Sequence, residues 1–326
     1  MNHPALIWNN GKLKPWKDAT VHVMSHAIHY GSSVFEGIRC YATPRGPAIF
    51  RLREHIQRLL MSARIYRIPV PFSEQQLTQA CMDVVAANHL KSAYLRPVIL
   101  RGVSGFSLAP PADAPVEVAI AAVEFGAYLG EEGLKAGIDV CVSSWNRAAP
   151  NTFPAMAKAG GNYLNSQLIA MEAKRLGFVE GIALAPDGTL SEGSGENLFV
   201  IRGGVLYTPP AAASILNGIT RDTVMELANS MDLRVVEQAL PRELLYVADE
   251  IFLTGTAAEI TPVRSVDGMI VGGGEAGRGP ITAALQEQFF GLFSGRTHDR
   301  FGWLSYVDRH DHSIDHARDA LASSYA

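Results

Sequence analysis

The chain of 326 residues predicts an α+β protein of two domains, and three observations carry that expectation. Its length exceeds what a single hydrophobic core comfortably serves. Hairpin strands and two amphipathic helices occupy the first 124 residues, whereas short antiparallel strands dominate beyond about residue 134. Between them, Gly126, Gly130 and Gly133 interrupt the pattern beside Phe125 and Tyr128, a change of composition that suits a linker. The expected layout is a small α/β domain over 1–124, a linker over 125–133, a larger domain with an antiparallel-rich, barrel-like sheet over 134–307, and a tail over 308–326.

The elements follow in order. Leu6-Ile7-Trp8 before Asn9-Asn10-Gly11-Lys12 reads as a strand entering a hairpin, because Asn-Gly readily takes the left-handed turn. Residues 51–68 carry Leu52, Ile56, Leu59, Leu60 and Ala63 at helical spacing, with Arg53, Glu54, Gln57 and Arg58 on the polar side. A second helix opens at Ser73, with Gln76 three residues on in a capping-box pattern, and ends near Asn88. Ser92 to Arg101 alternates as a strand and sets Tyr94 and Arg96 on one face, read as inward. A Gly/Pro-rich loop over 102–115 leads to the apolar strand 116–123. Further on, 137–142 is a strand, and 162–176 is a helix with Leu164, Leu168 and Met171 as its apolar stripe. Asp187-Gly188 and Gly203-Gly204 turn two hairpins, and a Gly turn at Asn217-Gly218 leads into a helix over 220–230. The strand 250–253 runs into the small-residue turn Thr254-Gly255-Thr256-Ala257-Ala258.

Composition excludes several classes. With 48% hydrophobic and 18% charged residues and a formal net charge of −4, the chain has no basic excess for a phosphate backbone, so no nucleic acid partner is expected. The longest apolar run is broken by Glu117 and Glu124, and the first twenty residues lack a signal-peptide core, so a cytoplasmic protein without a membrane span is expected. Cys40, Cys81 and Cys141 are odd in number and widely spaced, which fits buried thiols better than disulfides or zinc. His22, His26 and His29 have spacings a metal could use on a helix. The β-branched Val21, Val23 and Ile28 favour extended chain there, however, and no Cys or carboxylate completes a ligand set, so no metal is expected. The Gly193-Ser194-Gly195 run lacks the third glycine of a dinucleotide fingerprint, because Leu198 stands there.

The chemistry gathers around Lys158. It lies in Ala157-Lys158-Ala159-Gly160-Gly161-Asn162-Tyr163, with no acidic residue within six positions. Burial disfavours an ammonium, and the neutral amine is the nucleophile that attacks carbonyls. Lys158 is therefore the candidate covalent residue, with Tyr163 nearby and Glu192 at the end of a returning strand. Amides at the start of the 220–230 helix and in the 254–258 turn suit an anion. An amine, an acid, a phenol and two amide-rich turns together describe a site for pyridoxal 5'-phosphate: the aldehyde needs the amine, the ring nitrogen the acid, and the phosphate the amides and a cation.

Several segments closely resemble bacterial branched-chain amino acid aminotransferases of the fold-type IV class. They are His22-Val23-Met24-Ser25-His26, Phe35-Glu36-Gly37-Ile38-Arg39, Ser143 through Thr152, Lys158 through Leu164, Ser191-Glu192-Gly193, Gly195-Glu196-Asn197-Leu198 and Gly255 through Pro262. The likeness runs over about residues 5–305. It implies that Lys158 binds the cofactor and shuttles the proton, that Glu192 meets the pyridine nitrogen and that Tyr163 meets the ring oxygen. It implies that Arg58, Ile219, Thr220 and Thr256 hold the phosphate, with Gly195, Leu216, Gly218 and Gly255 completing the cofactor site. Phe35, Gly37, Phe125 and Tyr128, with Tyr30 and Leu108 from a partner subunit, are implied to grip an aliphatic side chain. Tyr94, Arg96, Thr256 and Ala257 are implied to take the carboxylates. The implied reaction exchanges an amino group between L-leucine, L-isoleucine or L-valine and 2-oxoglutarate, giving L-glutamate, in at least a homodimer; a trimer of dimers is left open.

Two positions depart from close relatives: Phe125 where Trp is frequent, and Asn217 where Pro is. D-amino acid transaminases of the same class carry an Arg-x-His carboxylate trap where this chain has Arg96-Pro97-Val98. An aminobenzoate-forming lyase and a catalytically silent scaffold stay open as alternatives, as do the ranking of donors and the metabolic direction.

Overall fold

The computed structural model describes residues 3–126, 130–273 and 277–307, which divide into two compact units. The first holds the chain up to Gly126, together with Ala159–Gly161 and the residues from Asp299 onward; the second holds 127–158 and Asn162–His298. The larger expected domain is thus not one contiguous stretch. Backbone pairing decides this: Val34 bridges Ala159, and the strand Leu304–Tyr306 pairs with Gly46–Phe50. The expected linker also runs into a helix that begins at Gly130.

In the first unit β1 (Leu6–Asn9) and β2 (Lys12–Pro15) form the foreseen hairpin, with Asn10 and Gly11 both at positive φ. A short helix α1 (His26–Tyr30), then β3 (Ser33–Phe35), β4 (Ile38–Thr43) and β5 (Gly46–Phe50) lead to α2 (Leu52–Ile65) and α3 (Glu74–Ala87). The long strands β6 (Ala93–Arg101) and β7 (Val116–Val123) complete the unit. The sheet order is Leu304–Tyr306, β5, β4, β6, β7, β1, β2, with β3 on β6. Ser73 caps α3 in a reciprocal box with Gln76, as its sequence pattern requires. Leu52, Ile56, Leu59 and Ala63 of α2 and Leu77, Cys81 and Val84 of α3 are fully buried.

Two readings of this unit are corrected. Ile28 lies in a helix rather than in extended chain, because His26 anchors α1 through Ser32 Oγ at 2.6 Å and the Ser107 carbonyl at 3.2 Å. Arg96 does not point inward: Ala93, Leu95 and Pro97 take the buried face of β6, and Arg96 is exposed.

In the second unit α4 (Gly130–Ala136), β8 (Ile138–Val142) and α5 (Tyr163–Arg175) precede the hairpin of β9 (Glu180–Leu184) and β10 (Leu190–Gly193). Then come β11 (Asn197–Arg202), β12 (Val205–Thr208), α6 (Ile219–Ser230), β13 (Val235–Glu237), β14 (Glu250–Gly255), β15 (Glu259–Val266), β16 (Met269–Ile270) and α7 (Pro280–Ser294). The sheet order is β10, β9, β8, β15, β14, β11, β12, β13, with β16 on β15. Most neighbours are antiparallel; β8 runs parallel to β9 and β15, and β12 to β13. The α+β class stands. Ile138, Val140, Ile182, Leu198, Val200, Leu253 and Val263 form much of this unit's core. The apolar stripe read on α5 is corrected: Leu164 is 65% and Met171 59% exposed, while Ser166, Ile169 and Ala173 face inward. Gly181 on β9 lets the helix lie close, since a Cβ there would stand 2.8 Å from the Ile169 side chain.

The three cysteines are buried free thiols, with burial raising Cys40 to about 12 and Cys141 to about 11, so both are unreactive. No helix among the described residues is long and apolar enough to cross a membrane. The tail from residue 308, with His310, His312 and His316, lies outside the described residues, as does Tyr128.

Candidate active site

Lys158 is carried on an irregular segment that Asn162 folds back. The Asn162 amide donates to the carbonyls of Pro154 and Ala157, both at 3.1 Å, immediately before α5 begins. On the first residue of that helix, the Tyr163 hydroxyl accepts from Lys158 Nζ at 2.6 Å. Of the two glycines between them, Gly160 is the crowded one in the first unit, since a Cβ there would sit 2.5 Å from Ser33 Oγ.

Glu192 lies near the end of β10, within an irregularity in its register with β9. Its carboxylate is buried and already engaged: Oε2 accepts from Asn197 Nδ2 at 3.0 Å and from the Leu216 amide at 3.1 Å, and Oε1 stands 3.2 Å from Arg147 Nη2. Burial raises its pKa above the ordinary carboxylate range, and Arg147, the Leu216 amide, Lys158 and Arg221 oppose the rise. Lys158 and Glu192 are thus close enough to feel each other's charge. A further cation placed against this acid would favour its ionised form.

Sequence reasoning gave Arg147 no role, yet it is the clamp of this region. Its Nη1 donates to Asn165 Oδ1 at 3.1 Å and Ser166 Oγ at 2.9 Å on α5. Nη2 donates to the Gly193 and Ser194 carbonyls at 2.6 and 3.0 Å. One planar guanidinium therefore ties the helix after Lys158 to the turn after Glu192. Nothing in the spacing signals this, because the partners lie 18 to 47 positions away. Asn197, likewise without an assigned role, links Glu192 to the Leu216 carbonyl at 2.8 Å.

The Gly turn ends at Gly218, the N-cap of α6, where a Cβ would come within 1.9 Å of Asn197 Oδ1. The first amides of α6 belong to Ile219 and the buried Thr220, and the positive end of a helix dipole favours an anion there. The helix packs on β14, whose end at Gly255 leads into Thr256 and Ala257. Gly195, by contrast, donates its amide to Glu196 Oε2 at 3.0 Å.

In the first unit Arg58 is buried rather than on a polar surface. Its Nε and Nη2 donate to the two oxygens of Glu36 at 2.6 and 2.9 Å, and His55 Nδ1 lies 2.7 Å from Glu36 Oε2. Glu36, on the turn after β3, holds this cation in place; its motif alone gave it no task. Phe35, Gly37, Tyr94, Arg96 and Phe125 come together. Arg96 lies over the rings of Phe35 and Tyr94 at 4.9 and 5.3 Å, and the Tyr94 and Phe125 centroids are 4.9 Å apart. Tyr94 Oη rests against Gly37, where a Cβ would be 1.8 Å away. Tyr30 and Leu108 are exposed, and the Tyr30 hydroxyl donates to the Phe106 carbonyl at 2.9 Å.

Residues 33–266 match the family described as amino-transferase class IV. The chain belongs to that family. Among similar proteins, the branched-chain-amino-acid aminotransferase of Escherichia coli (strain K12) is 58% identical over 303 residues, covering 93% of this chain and 97% of the relative. A crystal structure of the Escherichia coli branched-chain amino acid aminotransferase superposes with a TM-score of 0.92 at 58% identity, covering 94% of this chain and 100% of that one. The branched-chain amino acid aminotransferase from Thermobaculum terrenum, solved in its PLP-form, gives 0.86 at 35% identity, again over 94% and 100% of the two chains. The residues of this class IV aminotransferase fit a pyridoxal phosphate group on chemical grounds: an amine hydrogen-bonded to a phenol, a buried acid poised for a cation, and helix amides poised for an anion.

Proposed function

We propose that this aminotransferase moves an amino group between branched-chain L-amino acids and 2-oxoglutarate, yielding branched-chain 2-oxo acids and L-glutamate, with pyridoxal 5'-phosphate as cofactor and in either direction. The observation that carries it is Lys158 Nζ held 2.6 Å from Tyr163 Oη in the unit that also buries Glu192. When bound, the cofactor supplies an electron sink for the carbanion at the substrate α-carbon.

The chain's own groups do the rest. Lys158 binds the cofactor and, once released, takes the α-proton on Nζ and returns it on the other side of the exchange. Tyr163 orients that nitrogen and meets the ring oxygen. Glu192, kept in place by Arg147, Asn197 and Leu216, holds a proton on the ring nitrogen. The amides of Ile219 and Thr220, with Thr256 and Arg58, take the phosphate, and Gly195, Leu216, Gly218 and Gly255 line the cofactor. Phe35, Gly37, Phe125 and Tyr128 accept the aliphatic side chain; Tyr94, Arg96, Thr256 and Ala257 take the carboxylates.

Tyr30 and Leu108, both exposed, serve the site of a second copy, which makes the working protein at least a homodimer. The cytoplasm is its place. The division into a small N-terminal α/β domain and a larger cofactor-binding domain follows the same reading.

Amino-donor profiling tests it. Purified holoenzyme with 2-oxoglutarate is expected to turn over L-leucine faster than an aromatic L-amino acid or D-alanine, and Lys158→Ala to lose the visible absorption of the covalently held cofactor. Faster turnover of D-alanine sinks the substrate assignment; an unchanged spectrum in Lys158→Ala sinks the role of the lysine.

A further inference from the structure

Between the end of β8 and Arg147 the chain carries more residues than its partner strand can pair. β8 runs parallel to β9 with Val142 opposite Ile182, and the pairing continues past the strand's end: the Ser143 amide donates to the Ile182 carbonyl and the Arg147 amide to the Leu184 carbonyl, both at 2.8 Å. In a regular parallel ladder the bonds are evenly spaced, so the amide of Trp145 would meet Leu184 where that of Arg147 does. Residues 144–146 are instead left out of the ladder as an exposed bulge, an insertion of the kind that re-aims the side chain next to it.

Backbone groups taken out of a ladder need other partners, and α5 supplies them. Glu172, whose side chain is only 12% exposed, accepts at Oε2 from Ser143 Oγ at 2.6 Å and the Ser144 amide at 2.8 Å, and at Oε1 from Ser144 Oγ at 2.6 Å. Ser143 Oγ in turn accepts from the Trp145 amide at 3.0 Å. Two turns earlier on the same face of the helix, Asn165 Nδ2 donates to the Asn146 carbonyl at 3.0 Å while its Oδ1 takes Arg147 Nη1. The bulge is thus hooked to one helix at both ends, and Arg147 leaves it with Nη2 at 3.2 Å from Glu192. The further partner of Glu172 is Arg175, 3.8 Å away and exposed, so its carboxylate is given over to the bulge.

We propose that Glu172 is a positioning residue for the cofactor site: by holding residues 144–146 out of the β9 ladder, it decides that Arg147, and not Trp145, stands beside Glu192. This rests on the reading that Glu192 meets the cofactor's ring nitrogen. Without the carboxylate, two serine hydroxyls and an amide lose their shared acceptor, the bulge is free to slip along β9, and Arg147 no longer presents its fork to Glu192 in a fixed register. Cofactor retention then depends on a side chain whose own partners all lie outside the cofactor site.

A double-mutant cycle tests it, with cofactor dissociation constants read from visible absorption for the native chain, Glu172→Ala, Arg147→Met and the double variant. Glu172→Ala alone should hold the cofactor about tenfold more weakly, the effect of losing well-placed hydrogen bonds to a charged group. In the Arg147→Met background, where there is no guanidinium left to aim, the same substitution should change the constant by less than about twofold. Hydrogen exchange of the holoenzyme, followed by mass spectrometry, should speed up over residues 143–147 in Glu172→Ala.

An equal loss in both backgrounds overturns the proposal, since Glu172 would then support the fold at large rather than Arg147. Native cofactor affinity in Glu172→Ala overturns it too, as does unchanged protection over 143–147. Should Glu172→Ala not fold, Ser144→Ala takes one hydroxyl from the same carboxylate and must show the same dependence on Arg147. A Glu192→Gln control separates the two levels: cofactor binding and spectrum unchanged in that variant remove the underlying site assignment, whatever Glu172 does.

Discussion

Arg147 stands 3.2 Å from the Glu192 carboxylate and, with the same nitrogen, takes the carbonyls of Gly193 and Ser194. Both side chains are about nine-tenths buried, so removing the cation leaves an acid whose charge has lost its main support. Breaking one partner of a buried pair costs about 3–5 kcal/mol. Arg147→Met should lower the thermal midpoint accordingly and weaken cofactor binding. Arg147→Lys should recover only part of either, because an ammonium cannot span the two carbonyls and the carboxylate in one plane. Calorimetry and cofactor titration check both; a midpoint within a degree of the native value in Arg147→Met would refute the clamp.

Glu36 is fully buried between Arg58 and His55, and although burial works the other way, those partners hold its carboxyl far below the ordinary range. A depressed folded value means that the stabilisation is complete above the unfolded carboxylate pKa and is lost as pH falls through the window beneath it. Glu36→Gln should therefore be clearly less stable than the native chain at pH 7, by about 3 kcal/mol or more. The gap should narrow on acidification below about pH 4, where the native protein begins to lose the same contribution. Parallel midpoints across pH 3–7 would refute the assignment.

Gly37 leaves no room for a side chain beneath Tyr94 Oη. Gly37→Ala must displace that hydroxyl, which also accepts from Arg96 at 3.4 Å. The expected result is an increase in KM for leucine of about tenfold, from the loss of roughly one well-placed polar contact. Cofactor absorption should stay native, since these residues are read as substrate groups. A change confined to the cofactor spectrum would reassign Gly37.

Much of the fold was legible because local rules govern it. The Asn10-Gly11 turn, the Ser73/Gln76 box and the alternation of Tyr94 with its neighbours each depend on residues within four positions, and each formed as read. The readings that failed were those of burial. Periodicity alone does not say which face of α5 the neighbouring strand admits: Leu164 and Met171 point outward, while Ser166, Ile169 and Ala173 are buried, with Ile169 packed where Gly181 leaves room. Arg58 looked like a surface residue because its partner Glu36 lies 22 positions upstream.

Sequence by itself determined the reactive inventory: an isolated Lys158, a tyrosine five positions on, an acid on a returning strand and glycine turns before α6 and after β14. Those follow from residue type and short-range spacing, which the chain carries in any conformation. Tertiary structure alone decided which charges are held out of water together. Arg147 with Glu192 and Glu36 with Arg58 and His55 are pairings between distant segments, and the desolvation that gives each its chemical character exists only after the sheets have closed over them.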